Sequence, residues 1–516
     1  MSFPAFLRRT AQFWGDRIAV RCGNRTLTYH ALDDRSTRLA NALHALGLAK
    51  GDRVAIQARN CVELVEIECA LYKAGLVKAA MNARFSASEV SDLVESCTPR
   101  VLIAGPGFTH YHRDTPGFGS VETFVAIGGA VDGYAGYEAM LTSAPATRPD
   151  VRMAAADLAV LHFSSGSTGK VKAAMQSYGN RMAAFRKVLL SDGDVRPGDR
   201  LALLGPVTHA SGMLVQPNLF RGVELVLFER FDPAEFLDAV GQYGITHTMM
   251  VPAMVNMILA EPGLDRANLS SLRALSYGAA PMAPARIREA WERIGPILAQ
   301  GYGASESTSG VARLSIADHA HAIAHRPERL ASCGRPFAES EVRVIDEAGN
   351  DVSGDAIGEI VIRGEDVFQG YWGAPELTAE TVVDGWLRTG DLARVDEEGY
   401  LYLVDRKKDM IISGGFNVYP TEVEAALYRH PDVFEACVIG VPDQTWGESV
   451  KAVVTLKGGA SLHPGDLIAH CRALIADYKA PRSVEFVREL PKNPNGKLAR
   501  KLVREPYWQG VERRVN

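Results

Sequence analysis

Long apolar runs are missing from this chain: no stretch approaches the ~20 unbroken apolar residues that a membrane span needs. The opening MSFPAFLRRTAQFWGDR has neither a continuous apolar core nor a small-residue cleavage pattern, so no secretory leader is expected. Cysteine is sparse. The seven, at 22, 61, 69, 97, 333, 437 and 471, are odd in number, scattered and without a CxxC pair. That speaks against a zinc cluster or a disulfide framework and for reduced thiols in the cytoplasm. Basic runs are absent beyond DRKKD (405–409), and the net charge is −5, so neither a nucleic-acid partner nor integral membrane association is expected. Internal repeats and low-complexity tracts are absent too.

What is present is an ordinary globular composition, 47% hydrophobic and 23% charged, in a chain of 516 residues. At roughly 100–200 residues per domain, that length is too great for one core. Over the first ~400 residues helical and strand-like patterns alternate. Leu32, Leu39, Leu43 and Leu46 recur at helical spacing, with Gly47 placed as a C-terminal stop. RVAIQ (53–57), VLIAG (101–105), LAVLHF (158–163), LALLG (201–205), VELVLF (223–228) and THTMMV (246–251) read as buried strands. The fold class expected is α/β: a large N-terminal domain of helix-covered β-sheets and a small, mobile α+β C-terminal domain. The charged DRKKD marks the change, which divides the chain into 1–405, a hinge at 406–409, and 410–516. In the last part Thr421 and Glu424 read as a capping box, and Leu467, Ile468, Cys471, Leu474 and Ile475 as an amphipathic helix.

The segment richest in chemistry is SSGSTGKVK (164–172). Glycines let several backbone N–H groups converge, hydroxyls add donors, and Lys170 and Lys172 add charge, which together make a cradle for phosphate oxygens. It is not a Walker A loop, because Ser164 and Val171 stand where Gly and Ser/Thr are required.

In order along the chain follow PVTHASG (206–212), YGAAPM (277–282), GYGASE (301–306), GEIVIRG (358–364), WLRTGDL (386–392), DRKKDMIISGGFNVYP (405–420) and PKNPNGK (491–497). On these eight segments the chain resembles the adenylate-forming superfamily of acyl-CoA synthetases, peptide-synthetase adenylation domains and luciferases, and most of all its acid–CoA ligases. The resemblance implies that ATP and Mg²⁺ convert a carboxylic acid to an acyl-adenylate, and that coenzyme A then takes the acyl group. An amine or a carrier protein is the alternative acceptor. By the same resemblance Ser164, Ser165, Gly166, Ser167, Thr168 and Gly169, with Lys172, cradle the leaving pyrophosphate. Glu306 resembles the magnesium ligand, and Ser305 stands where the family usually has Thr, in reach of the α-phosphate. Tyr302, between Gly301 and Gly303, would stack on adenine, with Gly278, Ala279 and Ala280 on the other side. Asp391 resembles the acceptor of both ribose hydroxyls, a task that suits a carboxylate, and Arg406 its partner. Lys497 resembles the mobile catalytic lysine, Lys408 the hinge, and Gly414 and Gly415 belong to the loop that would meet the thiol donor. In isolation each has a plainer reading (Asp391 as a turn residue, Tyr302 as a core aromatic, Lys497 as a surface charge) which the shared order of motifs outweighs.

The expected wall of the acid pocket comprises Val207, His209, Ser211, Met213, Met250, Val251, Met254 and Tyr277. It is mostly apolar, with adaptable methionines, and offers no evident Arg for a second carboxylate. A neutral, hydrophobic monocarboxylic acid is therefore expected. The oligomeric state is left open, with a homodimer among the options.

Overall fold

A computed structural model of the chain describes residues 2–165, 171–191, 194–493 and 497–509. Among these residues four sheets organise the molecule. The six apolar runs all fall on strands, at Arg53–Gln57, Val101–Ala104, Leu158–Ser165, Arg200–Leu203, Glu224–Leu227 and His247–Met250. The first three belong to a seven-stranded sheet, parallel except for its last pair. The other three belong to a nine-stranded sheet whose central strands are all parallel. Parallel strands need helical crossovers, which cover the faces and explain why these strands are apolar throughout. The helix Tyr29–Ala45 carries the leucine stripe, and Gly47 follows it at φ 83°.

The main hydrophobic core lies between these two sheets, where Val54, Ile56 and Ile67 meet Leu201, Leu203 and Val215. A third, antiparallel sheet runs from Glu341 to Arg406 and ends on the strand Leu401–Arg406. The last sheet begins at Ile411 and is built on the hairpin of Val433–Asp443 with Gly447–Leu456. It closes its own core with Val423, Leu427, Leu467 and Cys471 from two helices, Pro420–Leu427 and Pro464–Leu474.

Thr421 and Glu424 do not cap their helix. The helix opens two residues earlier than that box requires, at Pro420, whose fixed φ and missing N–H suit the first position. The Thr421 hydroxyl instead donates to the Val404 carbonyl and its N–H to Asp405 Oδ2 (3.0 Å), while Glu424 accepts from Val438 N and Arg500 Nη2 (2.8 and 2.7 Å). The seven cysteines are all free thiols. Among the described residues no helix is long and apolar enough to cross a membrane.

Candidate active site

The strands Leu158–Ser165 and Val171–Ser177 pair as a hairpin, with Ser164 opposite Lys172 and Ser165 opposite Val171. Gly166, Ser167, Thr168 and Gly169 lie outside the described residues, as do the side chains of Ser164 and Ser165. Lys172 is half-buried, and its ammonium stands 5.1 Å above the ring of Tyr371. Tyr371 in turn donates its hydroxyl to Glu306 Oε1 (2.7 Å). Burial, then the charge of Glu306, pushes that phenol well above its usual range, so it remains a donor. Tyr371 is held there because the chain at 369–372 pairs with the hairpin: Met175 N donates to Gly370 O and Trp372 N to Ala173 O.

The next strands supply the remaining groups. Gly278 and Gly301 face each other on paired strands, and a Cβ on Gly278 would stand 2.4 Å from the Gly301 carbonyl. Only glycine permits that approach. Ala279 follows in left-handed backbone at φ 67°. Tyr302 is 9% exposed and donates its hydroxyl to Asp391 Oδ2 at 2.7 Å. The other oxygen of Asp391 lies 3.1 Å from Arg406 Nε. The pairing of Asp391 with Arg406 across adjacent strands makes this contact. One carboxylate is thus fixed from two sides.

Lys497 is half-buried and has Arg406, Asp391 and Glu306 as charged neighbours. Burial first, and Arg406 second, bring its ammonium down to about 8, against the opposing pull of the two carboxylates. Its strand-like segment is tied by Lys497 N to Asn493 Oδ1 (3.0 Å) and Asn493 N to Lys497 O (2.8 Å). The structure therefore gathers Lys497, Glu306, Asp391, Arg406 and Tyr302 around one cleft between the last sheet and the rest. Ser305 lies beside Glu306 and its carbonyl accepts from Gln176 Nε2 (3.1 Å). Lys408 is exposed, in the turn closed by Asp409 N on Arg406 O (2.9 Å). Gly414 and Gly415, both at positive φ, form the exposed tip between Ile411–Ser413 and Phe416–Val418.

The expected acid wall is corrected in part. His209 stacks on His162 from the strand Leu158–Ser165, with ring centroids 4.6 Å apart. Burial and the nearby Lys497 bring His209 down to about 4, and burial leads the larger lowering of His162, so both rings are neutral at pH 7. Ser211 and Met213 sit on the same turn. Met250 and Tyr277, however, belong to the opposite face of their sheet. They pack with Leu275, Leu298 and the helix Pro284–Arg293, and the Tyr277 hydroxyl meets His319 Nε2 (2.9 Å) and donates to Gln300 Oε1 (3.2 Å). Met254 packs against that same core, Val251 caps the next helix, and Val207 is buried in the core between the large sheets. With a side-chain period of two, the residues turned the other way are Met249, Ser276 and Ala299, in register with one another.

Three comparisons bear on this arrangement. Residues 7–372 match the family described as AMP-binding enzyme, and residues 422–497 match the AMP-binding enzyme C-terminal domain. A feruloyl-CoA synthase of Amycolatopsis is 38% identical over 501 residues, covering 97% of this chain and 98% of that one. A medium/long-chain-fatty-acid–CoA ligase of Mycobacterium tuberculosis is 34% identical, covering 96% of this chain and 88% of its own. Among solved structures, an amide bond synthetase of Marinactinospora thermotolerans superposes with a TM-score of 0.86 at 31% identity, covering 98% of this chain and 100% of that one.

Proposed function

The chain belongs to the adenylate-forming superfamily of AMP-binding enzymes, close to its acid–CoA ligases, and from that premise we propose how its own residues carry the reaction. A carboxylate oxygen attacks the α-phosphorus of ATP, the bond to pyrophosphate breaks, and an acyl-adenylate forms. The thiol sulfur of coenzyme A then attacks the acyl carbonyl and AMP leaves. The single observation that supports this most is the convergence of Lys497 with Glu306, Asp391 and Arg406 from distant parts of the chain. Two anions must meet for the first step, and a positioned ammonium offsets their repulsion as charge builds on the phosphate. Asp391, held by Tyr302 and Arg406, accepts the ribose hydroxyls. Gly301, with open space where a Cβ would stand, leaves room for the flat base, and Gly278 lets its strand approach closely. His209, being neutral, orients the acyl group by hydrogen bonding and takes no proton.

Glu306 fits a magnesium ion: its carboxylate is a hard oxygen donor, one oxygen is fixed by Tyr371, and no cluster of three ligating side chains competes among the described residues. Bound there with phosphate oxygens, the ion would neutralise charge on the triphosphate. Tyr371→Phe removes the donor that orients this carboxylate, and should raise the Mg²⁺ concentration for half-maximal pyrophosphate release by about tenfold. An unchanged magnesium titration would separate Tyr371 from the metal.

Lys497 acts in its charged form. With its ammonium at about 8, kcat/KM for acid-dependent pyrophosphate release should fall as pH rises through about 8. Lys497→Arg, which does not lose its proton, should remove that descending limb at a lower plateau. A wild-type profile flat to pH 10 would contradict the assignment.

The acid has an apolar body, as the methionines and small residues along Met213, Met249 and Ser276 suggest. Coenzyme A is the proposed acceptor. Incubating acid, ATP and Mg²⁺ with coenzyme A, with an amine, or with neither, and weighing the products, tests this: a thioester mass supports it, and an amide alone makes the chain an amide synthetase like its structural relative.

A further inference from the structure

Behind the turn that carries His209, Ser211 and Met213 lies a group of buried charges that does not balance. Lys78, Glu68 and Arg181 are each less than 10% exposed, and two cations share one carboxylate. Lys78 Nζ pairs with Glu68 Oε2, and Arg181 Nη2 stands 3.6 Å from Glu68 Oε1. A buried charge is costly unless it is paired and fully hydrogen-bonded. Here the remaining partners are neutral: Tyr72 takes Arg181 Nε at 3.1 Å, and Gln176 takes Nη1 at a long 3.4 Å.

The best-placed partner of Nη1 is the sulfur of Met213, at 3.2 Å. A thioether is a weak acceptor, and Met213 stands on the turn proposed above to lie along the acid. Lys78 reaches the same turn from beneath. A Cβ on Gly212 would lie 3.7 Å from its ammonium and 2.2 Å from the Val207 carbonyl, so Gly212 is what lets the turn sit over the charge. The stacked His162–His209 pair separates this group from Lys497. His162 feels Arg181 and Lys78 as well as Lys497, so the three cations lie within electrostatic reach of one ring.

We propose that the acid carries a second oxygen acceptor, a carboxylate or a carbonyl, remote from its reacting carboxylate, and that Arg181, backed by Lys78, receives it in place of Met213. This rests on the acid lying against the 206–213 turn, as proposed above. An oxygen there takes the Nη1 donor that the sulfur holds poorly, and a carboxylate also cancels the excess charge. The apolar body then spans the space between the two ends.

The test is a panel of acids matched in length and ending in methyl, ketone or carboxylate, assayed by pyrophosphate release. Wild type should favour the better oxygen-ended acid over the methyl-ended one by at least about 30-fold in kcat/KM, since a site built for a polar group rejects the analogue lacking it. The ketone and carboxylate arms tell the two acceptors apart. Arg181→Leu and Lys78→Met each leave one cation facing Glu68. Either should raise KM for the oxygen-ended acid about tenfold or more, with kcat and the methyl-ended acid within about threefold. Methyl-ended acids equal to or better than the others in wild type would overturn the inference. So would variants that slow every acid alike, which marks the group as structural. If neither variant folds, the wild-type order of acids decides. Pyrophosphate release from no acid at all sinks the adenylation reading instead.

Discussion

Replacing Lys497 by alanine should slow acid-dependent pyrophosphate release by at least about 100-fold, or ~3 kcal/mol, comparable to losing another preorganised charge donor. The size follows from where the residue stands. Lys497 is half-buried among Arg406, Asp391 and Glu306, so its charge acts at reduced screening. The two hydrogen bonds that tie its segment to Asn493 are made by the backbone of Lys497 and not by its ammonium. The loss should therefore appear in the rate and not in the melting temperature. It should also be confined to the first half-reaction: given preformed acyl-adenylate and coenzyme A, Lys497→Ala should make thioester within about threefold of wild type. A variant within tenfold of wild type in pyrophosphate release would remove Lys497 from the mechanism.

Lys408→Pro should give the opposite pattern. We propose residues 406–409 as a hinge between two orientations of the last sheet: the one observed, with Lys497 at the cleft, and one that brings Gly414 and Gly415 to it. In the observed state the tip at 414–415 is exposed, and a movement of the last sheet would let it act at the cleft. Lys408 is exposed in the turn from Arg406 to Asp409, and a proline there fixes φ. Thioester formation should fall by about 100-fold while pyrophosphate release stays within about tenfold, because the conformational step serves only the second half-reaction. Equal losses in both halves would place the pivot elsewhere.

The parts of the fold that were legible are those whose physics is local. Strands of the parallel sheets read as short apolar runs, so LALLG and THTMMV were plain as strands. The same fact hid which way their side chains point. With no polar face to mark the alternation, Met250 and Tyr277 could not be told from Met249 and Ser276, and they turned out to face the helices. The capping box at Thr421 failed for a tertiary reason, since Asp405 and the Val404 carbonyl claim that threonine. Tyr371 and Arg181 carried no signal at all. Their partners Glu306, Glu68 and Met213 lie far along the chain, and only folding brings them together. The Gly- and Ser-rich segment at 164–172 is of another kind: its expected role rests on residue types that let the backbone approach phosphate, and 166–170 lie outside the described residues.

The central claim is that a carboxylate oxygen becomes bonded to the α-phosphorus. It is tested most directly with the best acid of the panel, labelled with ¹⁸O in its carboxylate and turned over with ATP and coenzyme A. The account predicts AMP carrying one labelled oxygen and pyrophosphate carrying none. Label in inorganic phosphate alongside ADP, or AMP without label, would contradict it.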